Sequence, residues 1–285
     1  MPNIVSKIGA KPVLKTLSNV AIKPVASNNN KLTKFPYISK NQELPLDLFF
    51  IRMNHYPDKL NWAQDMIDLT YKLSDLVSEK TTFSNIVQKA EAELKRINNG
   101  SAYCEKRILT KLNKFFFQKN TRGEEYHEKF YNRWVLEGKP LTKFAIKSNS
   151  EYKNAATCKI TYTQHSDGFL IEYGKSSVSN FSLAAKEYTK LINTKNPDIK
   201  EINKSIATIH WLIAQESPYK KGNDSIANVI TKAIYHSYNV KLSPIKPKHS
   251  FDFEAFCTDL DDYIKKYPKL FSINPYIINR MSRMV

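Results

Sequence analysis

The chain has 285 residues, a formal net charge of +17 and a hydrophobic fraction of 41%, enough for one large domain or two small ones with a packed core. Seven glycines argue against Gly-rich nucleotide loops and turn-dense all-β folds, so a mainly α chain is expected. Cys104, Cys158 and Cys257 are odd in number and far apart, which argues against a disulfide framework, and no CxxC, HxxxH or HExxH spacing is present to hold zinc; no metal site is expected.

Residues 1–40 contain no acidic residue and include the run Ser27-Asn28-Asn29-Asn30, so 1–42 reads as a disordered basic leader. The segment lacks the apolar core and cleavage site of a secretory signal, and it has no Arg, unlike a mitochondrial presequence. In composition it is similar to the flexible leaders that type III or related bacterial systems export uncleaved. A solvated basic tail is the alternative. No later window is long and apolar enough to span a bilayer, so the body is expected to be soluble.

From residue 43 the composition turns globular, and 43–274 reads as one helical domain followed by a tail, 275–285. Leu46, Leu48, Phe49, Phe50 and Ile51 form an apolar run closed by Pro57-Asp58. Trp62, Met66, Leu69, Leu73 and Leu76 recur at helical spacing, as do Phe83, Ile86, Val87, Ala90, Leu94 and Ile97, which Asn98-Asn99-Gly100 stops. A third helix is expected over 104–118, with Ile108, Leu112, Phe115 and Phe116 inward. A fourth carries Tyr126, Phe130 and Trp134 as core and ends at Gly138-Lys139-Pro140.

Between Lys143 and Tyr173 the period changes from helix to strand. Thr157 to Gln164 and Phe169 to Tyr173 flank Ser166-Asp167-Gly168, a hairpin signal. Cys158 and His165 lie close in sequence, but a buried thiol and a turn histidine explain them better than a nucleophile and base. Ser176, Ser177, Ser179 or Asn180 caps the helix of Leu183, Ala184, Tyr188 and Leu191. Later, Pro244 and Pro247 form a linker, Asp252 precedes a helix through Phe253, Phe256, Leu260, Tyr263 and Ile264, and Pro268 ends it.

The stretch 199–237 combines start signals, stop signals and unusual chemistry. Pro197-Asp198 opens a helix whose Ile199, Ile202, Ile206, Ile209 and Ile213 share a face, and Pro218 disfavours helix at Ser217. Gly222 permits a turn, after which Ile226, Val229, Ile230, Ala233 and Ile234 mark a second helix. Lys220, Lys221 and Gly222 before a helix N-terminus suit an anion such as phosphate. The alternative is a basic surface turn between core helices, with Asp224 as an ordinary cap.

The string Ile209-His210-Trp211-Leu212-Ile213-Ala214-Gln215-Glu216-Ser217-Pro218-Tyr219-Lys220-Lys221-Gly222-Asn223-Asp224-Ser225-Ile226-Ala227 resembles the central helix-loop-helix of Fic-type nucleotidyl transferases, whose pattern is HPFxxGNGRxxR. Pro218, Tyr219 (for Phe), Gly222 and Asn223 fall on matching positions. Ser217 stands where the family has its catalytic His, Asp224 replaces the second Gly, and Ser225 and Asn228 replace the two Arg. Serine cannot act as a general base near neutral pH, so the resemblance implies either a diverged transferase or a fold-related binding module. It also implies a hairpin flap that docks the target and turns His165 or Tyr162 toward the loop. On this reading Glu216, Ser217 and His165 form the reactive edge. Lys220, Lys221, Gly222, Asn223, Asp224 and Ser225 would contact a nucleotide or other phosphate-bearing donor.

The expected function is that of a secreted bacterial effector-like protein, translocated into a host cell, that modifies or binds a partner protein. The alternative is a cytoplasmic, non-enzymatic adaptor whose basic surface binds an acidic protein, anionic lipid or nucleic acid. The excess charge is mostly Lys, a point-charge contact rather than a planar Arg fork, and no nucleic-acid motif is present, so such attraction would be nonspecific.

Overall fold

Helix boundaries follow the capping residues. The computed structural model describes residues 59–99, 103–106, 114–118, 135–136, 139–140, 144–163, 168–174, 178–246 and 249–278. The leader, the run Leu46 to Ile51, the Pro57-Asp58 turn, the Tyr126-Phe130-Trp134 ladder, His165 and residues 280–285 lie outside the described residues.

Helix α1 spans Lys59–Ser78 and α2 spans Phe83–Ile97, where the Thr82 side chain accepts from the Asn85 amide. The Ser179 side chain accepts from the Phe181 amide to start α3, Asn180–Asn193. Asp198 and Glu201 form a reciprocal capping box on α4, Ile199–Glu216, satisfying amides that the first helical turn leaves unpaired. Helix α5, Asn223–Ser237, begins at Gly222, whose φ of 93° places it in the left-handed region.

Every residue of α4 from Ser205 to Gln215, and of α5 from Ser225 to Tyr235, is buried. The sequence pattern marks one buried face on each helix; the tertiary structure buries all sides. Helices α1 and α2 pack on α5, while α3, α6 (Phe251–Phe256) and α7 (Leu260–Lys266) pack on α4. Each fully buried isoleucine of this pair contributes roughly 1.5–3 kcal/mol, more than a typical cap at about 1 kcal/mol.

The expected single C-terminal helix is broken at Cys257–Asp259 into α6 and α7. At the break the Asp259 carboxylate accepts from the Lys147 amide at 2.8 Å, the Leu260 amide donates to the Lys147 carbonyl, and Trp211 Nε1 donates to the Thr258 carbonyl at 2.9 Å. These long-range bonds outweigh local helical continuity. A 3-10 turn, Tyr267–Leu270, contains Pro268 and follows α7.

The expected hairpin forms the centre of a small antiparallel sheet. Its strands are β1 (Lys114–Gln118), β4 (Phe144–Ala145), β5 (Lys159–Thr163) and β6 (Gly168–Glu172), in the order β1-β6-β5-β4. Strands β2 (Val135–Leu136) and β3 (Lys139–Pro140) pair separately. Ile160 sits opposite Ile171 and both are buried, while Lys159 is exposed, so alternation turns one face inward. The helix expected over 104–118 is corrected here: Lys114–Gln118 pairs with β6 throughout. A short Phe-rich run fits either period, and the strand partner lies far along the chain.

The sheet is tied to α4 by polar side chains. Asn180 Oδ1 accepts from the Ala156 amide, and its Nδ2 donates to the carbonyls of Ala156 and Leu212. After α5, strand β7 (Val240–Lys241) pairs with β8 (Tyr276–Ile277). Among the described residues, no helix is long and apolar enough to cross a membrane.

Candidate functional site

Ser217 ends α4 in the left-handed region, with φ 43°. It is buried, its amide donates to the Ile213 carbonyl and its hydroxyl donates to the Ala214 carbonyl at 3.0 Å. The side chain is thus turned back on its own helix. Pro218 then directs the chain into a loop held by Asn223, whose Oδ1 accepts from the Tyr219 amide at 3.0 Å and whose Nδ2 donates to the Tyr219 carbonyl at 2.8 Å.

A segment distant in sequence covers this loop. Tyr103 bridges Lys221 in parallel and Lys106 bridges Tyr219 antiparallel. The Cys104 amide donates to the Lys221 carbonyl and the Lys220 amide to the Glu105 carbonyl. The Tyr103 ring lies over Gly222, where an added Cβ would sit 2.7 Å from Cε1, and the Tyr103 hydroxyl meets Ser225 Oγ at 2.5 Å. Only a residue without Cβ fits that close approach at positive φ.

The two ammonium groups face outward. Lys220 is exposed and pairs with Glu105 at 2.5 Å, and Lys221 is exposed. No side chain caps α5. Asp224 instead turns toward the interior, its Oδ1 accepting from Asn228 Nδ2 at 2.7 Å, while Asn228 Oδ1 accepts from Lys232 Nζ at 2.8 Å. His210 Nε2 lies 2.9 Å from Asp252 Oδ1 in the same interior region. Burial pushes the Asp252 carboxyl up to about 7 and depresses His210 to about 3; it also raises Asp224 and lowers Lys232 from their ordinary values. Loss of hydration disfavours every charged form, so His210 is a neutral core imidazole.

Glu216 faces the other side of the loop. Its carboxylate accepts from Ser179 Oγ at 3.0 and 3.1 Å and from the Phe181 amide at 3.1 Å, adding a second cap to α3. Nearby, the Tyr219 hydroxyl donates to Glu91 of α2. Burial, and then that bond, hold the phenol well above its ordinary range.

Between these groups runs a groove of about 390 Å³, walled by Phe83, Val87, Phe181, Ala185, Pro218 and Tyr219, with Glu91 and Glu216 among its polar members. The structure brings Glu216 and Tyr219 to this groove, buries Ser217 behind it and leads Asp224 and Ser225 away. Sequence reasoning missed Tyr103, Glu91, Ser179 and Phe181 as neighbours of the loop. No local signal marks them, because each arrives from another element.

Cys158 is buried, its thiol donating to the Gln215 carbonyl at 3.4 Å. Cys104 is buried too, its thiol pushed up to about 12 by burial. Among the described residues no cluster of His, Cys, Asp and Glu could hold a metal ion.

The fold and loop together define a mainly helical bundle with a covered interhelical turn and an open groove beside it. Residues 184–274, from within α3 to just before β8, match the family model described as avirulence protein, AvrB_AvrC. No curated protein matches the chain. This match corrects the expected resemblance to Fic-type transferases: the whole string 209–227 lies within the span that the avirulence family accounts for. The match covers about a third of the chain and is a similarity of that span to an avirulence protein family.

Proposed function

We propose that this chain is a translocated effector that acts by holding a host protein, with the groove between α2, α3 and the 216–219 loop as its docking site. The observation that carries the reading is the groove's make-up: apolar walls from Phe83, Val87, Phe181 and Ala185, with the carboxylates of Glu91 and Glu216 between them. Lys106 also lines the groove, so the two carboxylates leave it a slight acidic excess on a chain of net charge +17. It fits a partner segment that presents an apolar side chain beside Lys or Arg, since complementary charge gives register and apolar burial gives affinity.

Transfer from a phosphate-bearing donor has less support. Lys220 is paired with Glu105, Tyr103 covers Gly222 and Ser225, and the Ser217 hydroxyl is bonded within its own helix.

The test titrates the full chain with fluorescent peptides in which a central Leu is flanked by Arg or by Glu. Arg-flanked peptides are expected to bind, and Ser182→Arg or Ala185→Arg, each placing a cation in the groove, are expected to abolish binding while the fold is retained. Equal binding of Glu-flanked peptides would overturn the docking chemistry. Saturable nucleotide binding that Lys221→Ala removes would favour transfer instead.

A further inference from the structure

At the far end of α5 from the groove, two acid-free segments lie side by side. No Asp or Glu occurs from 225 to 251, nor from 263 onward. Strands β7 and β8 set Lys241 directly opposite Tyr276. The pairing continues beyond the strands: the Ser272 amide donates to the Pro244 carbonyl, Ile245 bridges Phe271, and the Lys246 amide donates to the Leu270 carbonyl at 2.8 Å. The Ser243 hydroxyl donates to the Ile273 carbonyl at 2.9 Å and accepts from the Ile273 amide at 2.7 Å.

This edge carries the large apolar side chains that stand exposed among the described residues: Ile273 (64%), Tyr276 (46%) and Ile278 (44%). Lys246 and Lys269 beside them are exposed, and Lys241 is partly so. The nearest exposed carboxylates in sequence, Asp261 and Asp262, are on the first turn of α7, where Asp261 accepts from Asn149 and Asp262 pairs with Lys265. Among the described residues, no ion pair joins Lys241, Lys246 or Lys269 to a carboxylate.

We propose that the β7–β8 edge docks on an anionic lipid surface. Protruding aliphatic and tyrosine side chains enter the headgroup boundary, while flanking lysines meet lipid phosphate and carboxylate groups. A nucleic acid would use the lysines but leave Ile273 and Ile278 in water, so the bilayer accounts for both halves of the feature. Helix α5 is 15 residues long, so roughly 20 Å separate this edge from the Gly222 loop. Docked in this way, the chain keeps its groove clear of the bilayer.

The experiment is co-sedimentation of the full chain with phosphatidylcholine vesicles with and without phosphatidylserine. Binding is expected only with phosphatidylserine. It should fall by at least about tenfold in the triple variant Lys241→Glu, Lys246→Glu, Lys269→Glu, and fall again on raising salt. The double variant Ile273→Ser, Ile278→Ser should also lose binding, although its charge is unchanged. A control triple variant of equal net charge on other surfaces, Lys95→Glu, Lys153→Glu, Lys186→Glu, should bind as the parent does. Equal loss in that control, or full binding by the isoleucine variant, would reduce the effect to overall positive charge and overturn the proposal. So would oligonucleotide binding as tight as vesicle binding that Ile273→Ser, Ile278→Ser leaves unchanged, which would make nucleic acid the partner. Circular dichroism of each variant confirms that the fold persists.

Discussion

Gln215 joins the sheet to the centre of the helical bundle through Cys158: its Oε1 accepts from the Cys158 amide at 2.7 Å, and its Nε2 donates to the Ala255 carbonyl at 2.8 Å. One buried amide therefore holds three elements, at the last turn of α4 before the groove. Replacing Gln215 by Ala would strand a buried N–H and a buried C=O. The expected cost is about 2–4 kcal/mol, measured as a drop in the urea midpoint, with a larger loss of hydrogen-exchange protection in β5 than in α1.

Gly222→Ala meets two obstacles, the φ of 93° and the Tyr103 ring at 2.7 Å. A loss of about 1–3 kcal/mol is expected. Adding Tyr103→Ala should recover the steric part and leave the conformational part, giving a favourable coupling between the two changes. Purely additive losses in a double-mutant cycle would show that the ring does not confine the loop.

Asp252 makes stability depend on pH. In the unfolded chain its proton leaves near 3.8, whereas in the folded state burial holds it up to about 7. The folded state then binds more protons across that window, so this group lowers stability as the pH rises from about 4 to 7. Asp224 acts in the same direction. His210, depressed from 6.5 to about 3, acts in the opposite direction between those values, because there the unfolded chain binds more protons. Asp252→Asn removes one contribution of up to about 1.4 kcal/mol per pH unit. Denaturant curves between pH 4 and 7 should therefore decline less steeply for the variant; parallel curves would count against a protonated carboxyl.

Glu216 separates a structural from a docking role. Glu216→Gln keeps an oxygen that can accept from Ser179 and Phe181, so stability should change by less than about 1 kcal/mol. The same variant removes one of the groove's two carboxylates, and the preference for Arg-flanked over Glu-flanked peptides should shrink severalfold. An unchanged preference would assign Glu216 to capping alone.

Much of the fold was legible along the chain. Thr82, Ser179 and Asp198 cap helices as their residue types suggest, Gly222 takes the positive φ, and the pair β5–β6 forms where β-branched and aromatic residues surround a turn. The misreadings share one cause. Phe115 and Phe116 belong to a strand because β6, more than fifty residues later, supplies its partner, and the helix expected through Leu260 breaks because Lys147 claims Asp259 and Leu260.

The loop itself shows where local reading stops. Composition, periodicity and capping chemistry determine that two apolar helices meet at a turn containing Pro218 and Gly222, since those preferences act within a few residues. That Lys220 pairs with Glu105, that Asp224 accepts from Asn228 and that Glu216 accepts from the Phe181 amide follow only from packing. Each choice depends on the partner that other elements bring within hydrogen-bond distance, and burial then sets the charge each group can carry.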